Sequence, residues 1–183
     1  MSHRNWHHLI AIPVLAMSAA PASAADYLSV DAVQRALMPL AQSFVPFPVT
    51  LSQPQLTQIR RLSGVPQRTN QPKIWRAVTA GRTAGWVLVD EVIGKHEYIT
   101  YATAISPDGH VLGVEIMSYR ESHGEQVRDP RWRARFRGKT VADPFRLNQD
   151  IPNISGATLS CRNVTDGVKR LLAIHSLVLA RAG

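Results

Sequence analysis

The sequence predicts an α+β fold, an antiparallel meander sheet packed with helices. Three observations carry this. From Lys73 the chain runs through four stretches rich in Val, Ile, Trp, Tyr and Thr: Lys73–Ala80, Trp86–Val92, Tyr98–Ile105 and Val111–Tyr119. Turn residues separate them, at Gly81–Gly85, Gly94-Lys95-His96 and Ser106-Pro107-Asp108-Gly109. Such residues supply positive φ or pre-set turn geometry, so the stretches read as strands. Apolar residues at helical spacing stand before and after this block.

The elements follow in order. Arg4, three early histidines, the apolar run Leu9–Ala20 and the small residues Ala22-Ser23-Ala24 form the three-part layout of a secretory signal peptide over residues 1–24. The mature chain is then expected to begin at Ala25. Ser29 is a candidate N-cap for a helix reaching Gln42, with Val30, Val33, Ala36, Leu37 and Leu40 on one face. Pro46 and Pro48 make residues 43–49 a connector. Ser52-Gln53-Pro54-Gln55 is a capping box with proline in the first turn, and Gly64 stops the helix that follows. Residues 25–72 therefore read as an N-terminal extension of two helices. After the strands, Asp129-Pro130 opens a short helix with Trp132 and Phe136 on one face and Gly138 at its end. A final helix is expected over Thr165–Ala180, burying Val164, Val168, Leu171, Leu172 and Leu179.

Composition bounds the function. The chain has 183 residues, is 45% hydrophobic and 19% charged, and holds one cysteine. That is one domain with a real core, neither disordered nor a membrane bundle. A single cysteine excludes an internal disulfide framework and any zinc site built on several cysteines. The net charge of +8 favours acidic partners. There is no P-loop, no Gly-x-Ser-x-Gly elbow, no His-Glu-x-x-His and no haem Cys-x-x-Cys-His.

The most informative segment is Asp150–Cys161. Ser155, Thr158 and Ser160 supply hydroxyls, and Gly156 and Ala157 supply little bulk, just before the final helix. Two readings stand on local chemistry. The segment is an ordinary hydroxyl-rich helix cap, or it is a phosphate cradle built from hydroxyls and free N–H groups at a helix start.

Ser155-Gly156-Ala157-Thr158-Leu159-Ser160 resembles the flavinylation motif of FMN-binding domains, Ser/Thr-Gly-Ala-Thr/Ser-x-Thr/Ser. These domains occur in the FMN-bearing subunits of the sodium-pumping NADH:quinone reductase and the Rnf-type complex, and in small exported flavoproteins. The likeness extends to Tyr119-Arg120-Glu121-Ser122-His123-Gly124, to Phe136-Arg137-Gly138-Lys139, to Val92–Glu97 and to the finish at Val164–Leu172. It covers roughly residues 73–172, which places the FMN-binding domain at 73–183 behind the helical extension. The resemblance implies FMN as cofactor, joined through its phosphate to the last hydroxyl residue by a flavin transferase. That acceptor is Ser160, where the family usually has Thr, and Asp150 is the upstream aspartate, set slightly further back than usual. Gly156, Ala157, Thr158 and Ser155 complete the motif. Glu121 and Gly124 line the isoalloxazine pocket or form a surface turn. Lys95 and His96 meet the flavin or its phosphate, or form an exposed turn.

Cys161, beside the acceptor, reads as a small buried residue, and Trp132 and Phe136 read as core. The run Arg128, Arg131, Arg133, Arg135, Arg137, Lys139 reads as a solvated rim that steers an acidic redox partner, not as a nucleic-acid patch. The expected function is an exported, periplasmic or membrane-associated flavoprotein. It passes electrons between a membrane redox complex and an extracytoplasmic acceptor, and reads more as an electron-transfer protein than as a stand-alone enzyme. The alternative is an exported non-redox module that binds FMN or another phosphorylated ligand without a covalent bond.

Overall fold

The computed structural model describes residues 25–121 and 124–182, so the expected leader lies outside the described residues. The strands are β1 (Ala25–Asp26), β2 (Ser43–Pro46), β3 (Lys73–Thr79), β4 (Arg82–Ile93), β5 (Tyr98–Ile105) and β6 (Val111–Tyr119). They form one antiparallel sheet in the order β1-β6-β5-β4-β3-β2. The α-helices are α1 (Val30–Leu37), α2 (Gln53–Ser63), α3 (Pro130–Arg133) and α4 (Thr158–Ile174). This is the α+β meander that the sequence predicts.

Alternation along the strands gives the sheet two apolar faces. On β4, Trp86, Leu88 and Val92 point to one side, with Ile99, Tyr101 and Ile105 of β5. Val164, Val168 and Leu171 of α4 and Ile59 of α2 cover that face. Val87, Val89, Ala102 and Ala104 point to the other side, where Val33 of α1 packs with Met38. Gly167 lets α4 approach closely: a Cβ there would lie 2.9 Å from Tyr101 Cζ and 3.0 Å from Val92 Cγ1.

The local signals act as their chemistry requires. Ser29 Oγ accepts from Ala32 N at 3.2 Å. The Ser52–Gln55 capping box forms, and Gly64 ends α2 at φ +83. Asp129 Oδ1 accepts from Arg131 N at 2.8 Å, opening α3. Trp132 and Phe136 meet edge to face with centroids 5.1 Å apart, both buried in the core.

Four expectations need correction. The first helix stops at Leu37, and Leu40 is 86% exposed. Pro39 explains this, because a residue before proline is driven out of the α region, and Met38 sits at φ −136, ψ 69. The connector at 43–49 contains strand β2, so the N-terminal helical segment also supplies a sheet edge. Edge placement tolerates Pro46, whose missing N–H costs no ladder bond. The turn expected over Gly81–Gly85 is the two-residue hairpin Ala80-Gly81, with φ +49 and +73. Residues 82–85 already belong to β4, with a bulge opposite Ala77/Val78. The last helix begins at Thr158, not Thr165, and finishes in a π-helical turn at His175–Leu179.

His175 in that turn is 2% exposed, and its Nε2 has no hydrogen-bond partner. It packs against the β5–β6 turn, 3.4 Å from where a Cβ on Gly109 would stand. Burial lowers its pKa below the ordinary 6.5, against the pull of the Asp108 carboxylate. Below pH 6.5 the unfolded chain therefore binds a proton that the folded chain resists. Stability is complete above that pH and falls as pH drops towards the folded pKa. We expect His175→Gln to flatten the loss of melting temperature between about pH 7 and 5. Parallel pH profiles for variant and wild type would show that His175 contributes nothing to acid sensitivity.

Candidate functional site

Three chain segments converge beside the N-terminus of α4. The first is the turn into that helix. Ala157 N donates to Ile154 O at 3.0 Å, and Cys161 N donates to Ala157 O at 2.8 Å as the first helical bond. Gly156 has φ +82, a left-handed conformation that favours glycine, and a Cβ there would meet nothing within 4 Å. Ala157 is the N-cap and makes no side-chain cap bond. The first-turn amides of this 17-residue helix thus keep their donor capacity, at the positive end of its dipole.

The second segment is the β4–β5 loop carrying Lys95 and His96. The third is the end of β6, with Tyr119 and Glu121. Lys95, His96, Glu121, Gly156, Ala157, Thr158, Leu159 and Ser160 together line a cleft of about 570 Å³. That volume falls in the range of about 300–1,000 Å³ usual for small-molecule and cofactor sites.

Ser160 is 4% exposed at the base of the cleft, with Oγ 3.2 Å from the Tyr119 hydroxyl. Burial raises the Tyr119 pKa, partly offset by the bond to Ser160, so the phenol stays protonated at neutral pH. Gly124, at φ +94, leaves room for this pair: a Cβ there would lie 2.6 Å from Tyr119 Oη and 3.3 Å from Ser160 Oγ. Thr158 is exposed and accepts from Asn153 Nδ2 at 3.1 Å. Cys161 is buried, and burial pushes its thiol pKa up, which makes it a poor nucleophile.

Residues 94–173 match the family model described as the FMN-binding domain, a span that holds every cleft-lining residue. This segment belongs to the FMN-binding domain family. The chain is also 30% identical over 110 residues to one of the subunits of the proton-translocating ferredoxin:NAD(+) oxidoreductase complex of Clostridium ljungdahlii. That alignment takes in 56% of this chain and 60% of the relative, so the chain spans less than two thirds of it. Among solved structures, NqrC of Shewanella oneidensis is similar at TM-score 0.47 and 18% identity, covering 78% of this chain and 70% of that one. A Na(+)-translocating NADH-quinone reductase component from Parabacteroides distasonis is similar at TM-score 0.49 and 12% identity, covering 81% and 83%.

The residues of the FMN-binding domain suit FMN. Uncapped amides at the start of α4, the Thr158 hydroxyl and Lys95 can take a doubly charged phosphate. Ala157 and the half-exposed Leu159 offer apolar contact to a ring.

The structure brings together seven of the ten residues singled out in the sequence: Lys95, His96, Glu121, Gly156, Ala157, Thr158 and Ser160. Gly124 packs behind Ser160, outside the open cleft. Ser155 is exposed on the approach to it. Asp150 stands apart. Its carboxylate takes Lys139 Nζ and Phe145 N at 3.0 Å and Arg146 N at 2.6 Å. It thereby closes the 145–151 turn, and those donors hold its pKa below the usual carboxylate value despite burial. Ser122 and His123 lie outside the described residues. Sequence reasoning gave no site role to Tyr119, hidden in a strand, or to Asn163, whose Nδ2 donates to Ile93 O at 2.6 Å. Neither carries a local signal, because both act across the fold.

In the arginine run, Arg133 pairs with Glu115 and Lys139 with Asp150. Arg128, Arg131, Arg135 and Arg137 are exposed around the buried Trp132 and Phe136. No helix among the described residues is long and apolar enough to cross a membrane.

Proposed function

We propose that this protein is an exported electron carrier that holds FMN in the cleft between Lys95 and Ser160, with the FMN phosphate esterified to Ser160. It passes electrons between a membrane redox complex and an extracytoplasmic acceptor, after maturation by a flavin transferase. When bound, FMN supplies one- and two-electron redox chemistry. The chain supplies position: the amides of α4 and Lys95 hold the phosphate end, and Glu121 shapes the rim. The observation that carries the reading is a hydroxyl, Ser160 Oγ, placed in the uncapped first turn of α4 inside a cleft with a lysine. The clostridial relative, a subunit of an oxidoreductase complex, supports the redox partner. The exposed arginines would make association with that partner salt-dependent.

One observation favours the noncovalent alternative: Ser160 is buried and already paired with Tyr119, whereas Thr158 is exposed. Intact mass decides between them, measured on protein exported from a host with a flavin transferase. We expect wild type to gain the mass of FMN less one water and Ser160→Ala to lose that gain. An adduct that survives the substitution moves the acceptor, with Thr158 next in line. Flavin that binds but dialyses away leaves the noncovalent module. A colourless protein without adduct overturns the flavoprotein reading.

A further inference from the structure

The loop that presents Lys95 and His96 is short and exposed. It connects β4 to β5 through residues 94–97, and a backbone bond from Gly94 N to Glu97 O at 2.7 Å closes it. Side chains 95–98 all face solvent. A loop of this kind would sample many conformations on its own, and each would carry the lysine to a different place.

Glu121 meets that loop from the end of β6. Its Oε1 accepts from His96 N at 2.5 Å and from Glu97 N at 2.9 Å. Gly94 permits the approach: a Cβ there would stand 2.5 Å from Oε1 and 2.9 Å from Cγ of Glu121. Successive backbone N–H groups turned to one point form a concave anion site, and here the chain's own carboxylate fills it. Burial opposes the charge on Glu121, but the amides of Glu97, His96 and Lys95 outweigh it and keep the pKa below 4.5. Asn163 of α4 holds the preceding carbonyl of Ile93, so the loop is tied to both β6 and the helix that opens the cleft.

We propose that Glu121 is a positioning residue: its carboxylate clasps the 95–97 backbone and thereby aims Lys95 and His96 at the cleft. This rests on the reading of the cleft as an FMN site. A carboxylate pointed at a phosphate would repel it. A carboxylate consumed by three backbone dipoles leaves the lysine free to face the phosphate. Glu121 therefore acts on selectivity for the phosphorylated flavin, through Lys95, and not by touching the ring.

The test uses the full-length mature chain made without a flavin transferase, titrated with FMN and with riboflavin, which lacks the phosphate. The variants are Glu121→Gln, Lys95→Met and the pair together. Glutamine keeps the shape of glutamate, so the fold is retained, while the charge-assisted bonds are lost. We expect Glu121→Gln to weaken FMN about tenfold and riboflavin far less. The double variant should bind FMN no worse than Lys95→Met alone, because one residue acts through the other. Hydrogen exchange of the flavin-free protein should quicken at the amides of Lys95, His96 and Glu97. An unchanged FMN-to-riboflavin ratio, additive losses in the double variant, or unchanged exchange at 95–97 each overturns the proposal. Wild type that binds neither flavin fails the FMN reading itself, a result distinct from the others.

Discussion

Arg170→Ala is expected to lower the unfolding free energy by about 3–5 kcal/mol, the cost of stranding one partner of a buried ion pair. Arg170 lies on α4, 4% exposed, against Asp90 of β4. Its Nη2 and Nε reach Asp90 Oδ2 at 2.5 and 3.2 Å, and Nη1 donates to Pro66 O at 3.3 Å. Tyr101 donates to the same carboxylate oxygen at 3.2 Å. Burial, and then the Asp90 charge, raise the Tyr101 pKa well above 10, so the tyrosine stays a donor at any pH of interest. Without Arg170 the carboxylate keeps that one neutral donor and its own uncompensated desolvation. The signature is a lower denaturant midpoint with an unchanged slope. Replacing both partners with apolar residues, as in Arg170→Met with Asp90→Leu, should recover most of the loss. A single variant that costs under about 1 kcal/mol would show that water reaches Asp90 and screens it.

Gly124→Ala should damage stability and the site together. At φ +94 an L residue is strained by about 1–2 kcal/mol. The new methyl would also stand 2.6 Å from Tyr119 Oη, 3.3 Å from Ser160 Oγ and 3.4 Å from Ala157 Cβ. These atoms belong to a strand end and a helix start, which cannot both retreat without opening the base of the cleft. Overpacking of this kind adds about 1–3 kcal/mol. FMN affinity, or adduct formation at Ser160, should fall with the Tyr119–Ser160 bond. Gly81→Ala is the control: its φ is +73, but a Cβ there meets nothing within 4 Å, so it bears the backbone strain alone. Equal losses in the two variants would mean that Gly124 is there for its backbone and not for the room it leaves.

What was legible in the sequence had a short reach. Ser29, Ser52 and Asp129 act on amides two or three residues ahead, and their helices start where they stand. The strands showed because alternation repeats every second residue. The motif at 155–160 was legible because its hydroxyls lie within six consecutive residues, in the turn before α4 and in that helix's first turn. The misreadings also have local causes with distant remedies. Pro46 argued against a strand until β3 placed it at an edge. Gly85 argued for a turn, although it sits in β4 beside a bulge, where a Cβ would lie 2.7 Å from Ile105 O. Outside the misreadings, the place of Asp150 before the motif was legible, but its bonds to Lys139 and to the amides of Phe145 and Arg146 were not.

Residues close together in the chain were enough for the α+β class, the caps of α1, α2 and α3, the antiparallel meander and the flavin-type motif. Tertiary structure alone decided which residues share the cleft. Glu121 reaches His96 across 25 positions, Tyr119 reaches Ser160 across 41, and Arg170 reaches Asp90 across 80. Caps and turns are fixed by bonds inside a few residues, so their chemistry is written where it acts. Contacts at these separations exist only after the sheet order is set and the helices are packed on it. Burial then makes them selective, because a charge or hydroxyl taken from water must meet its partner there.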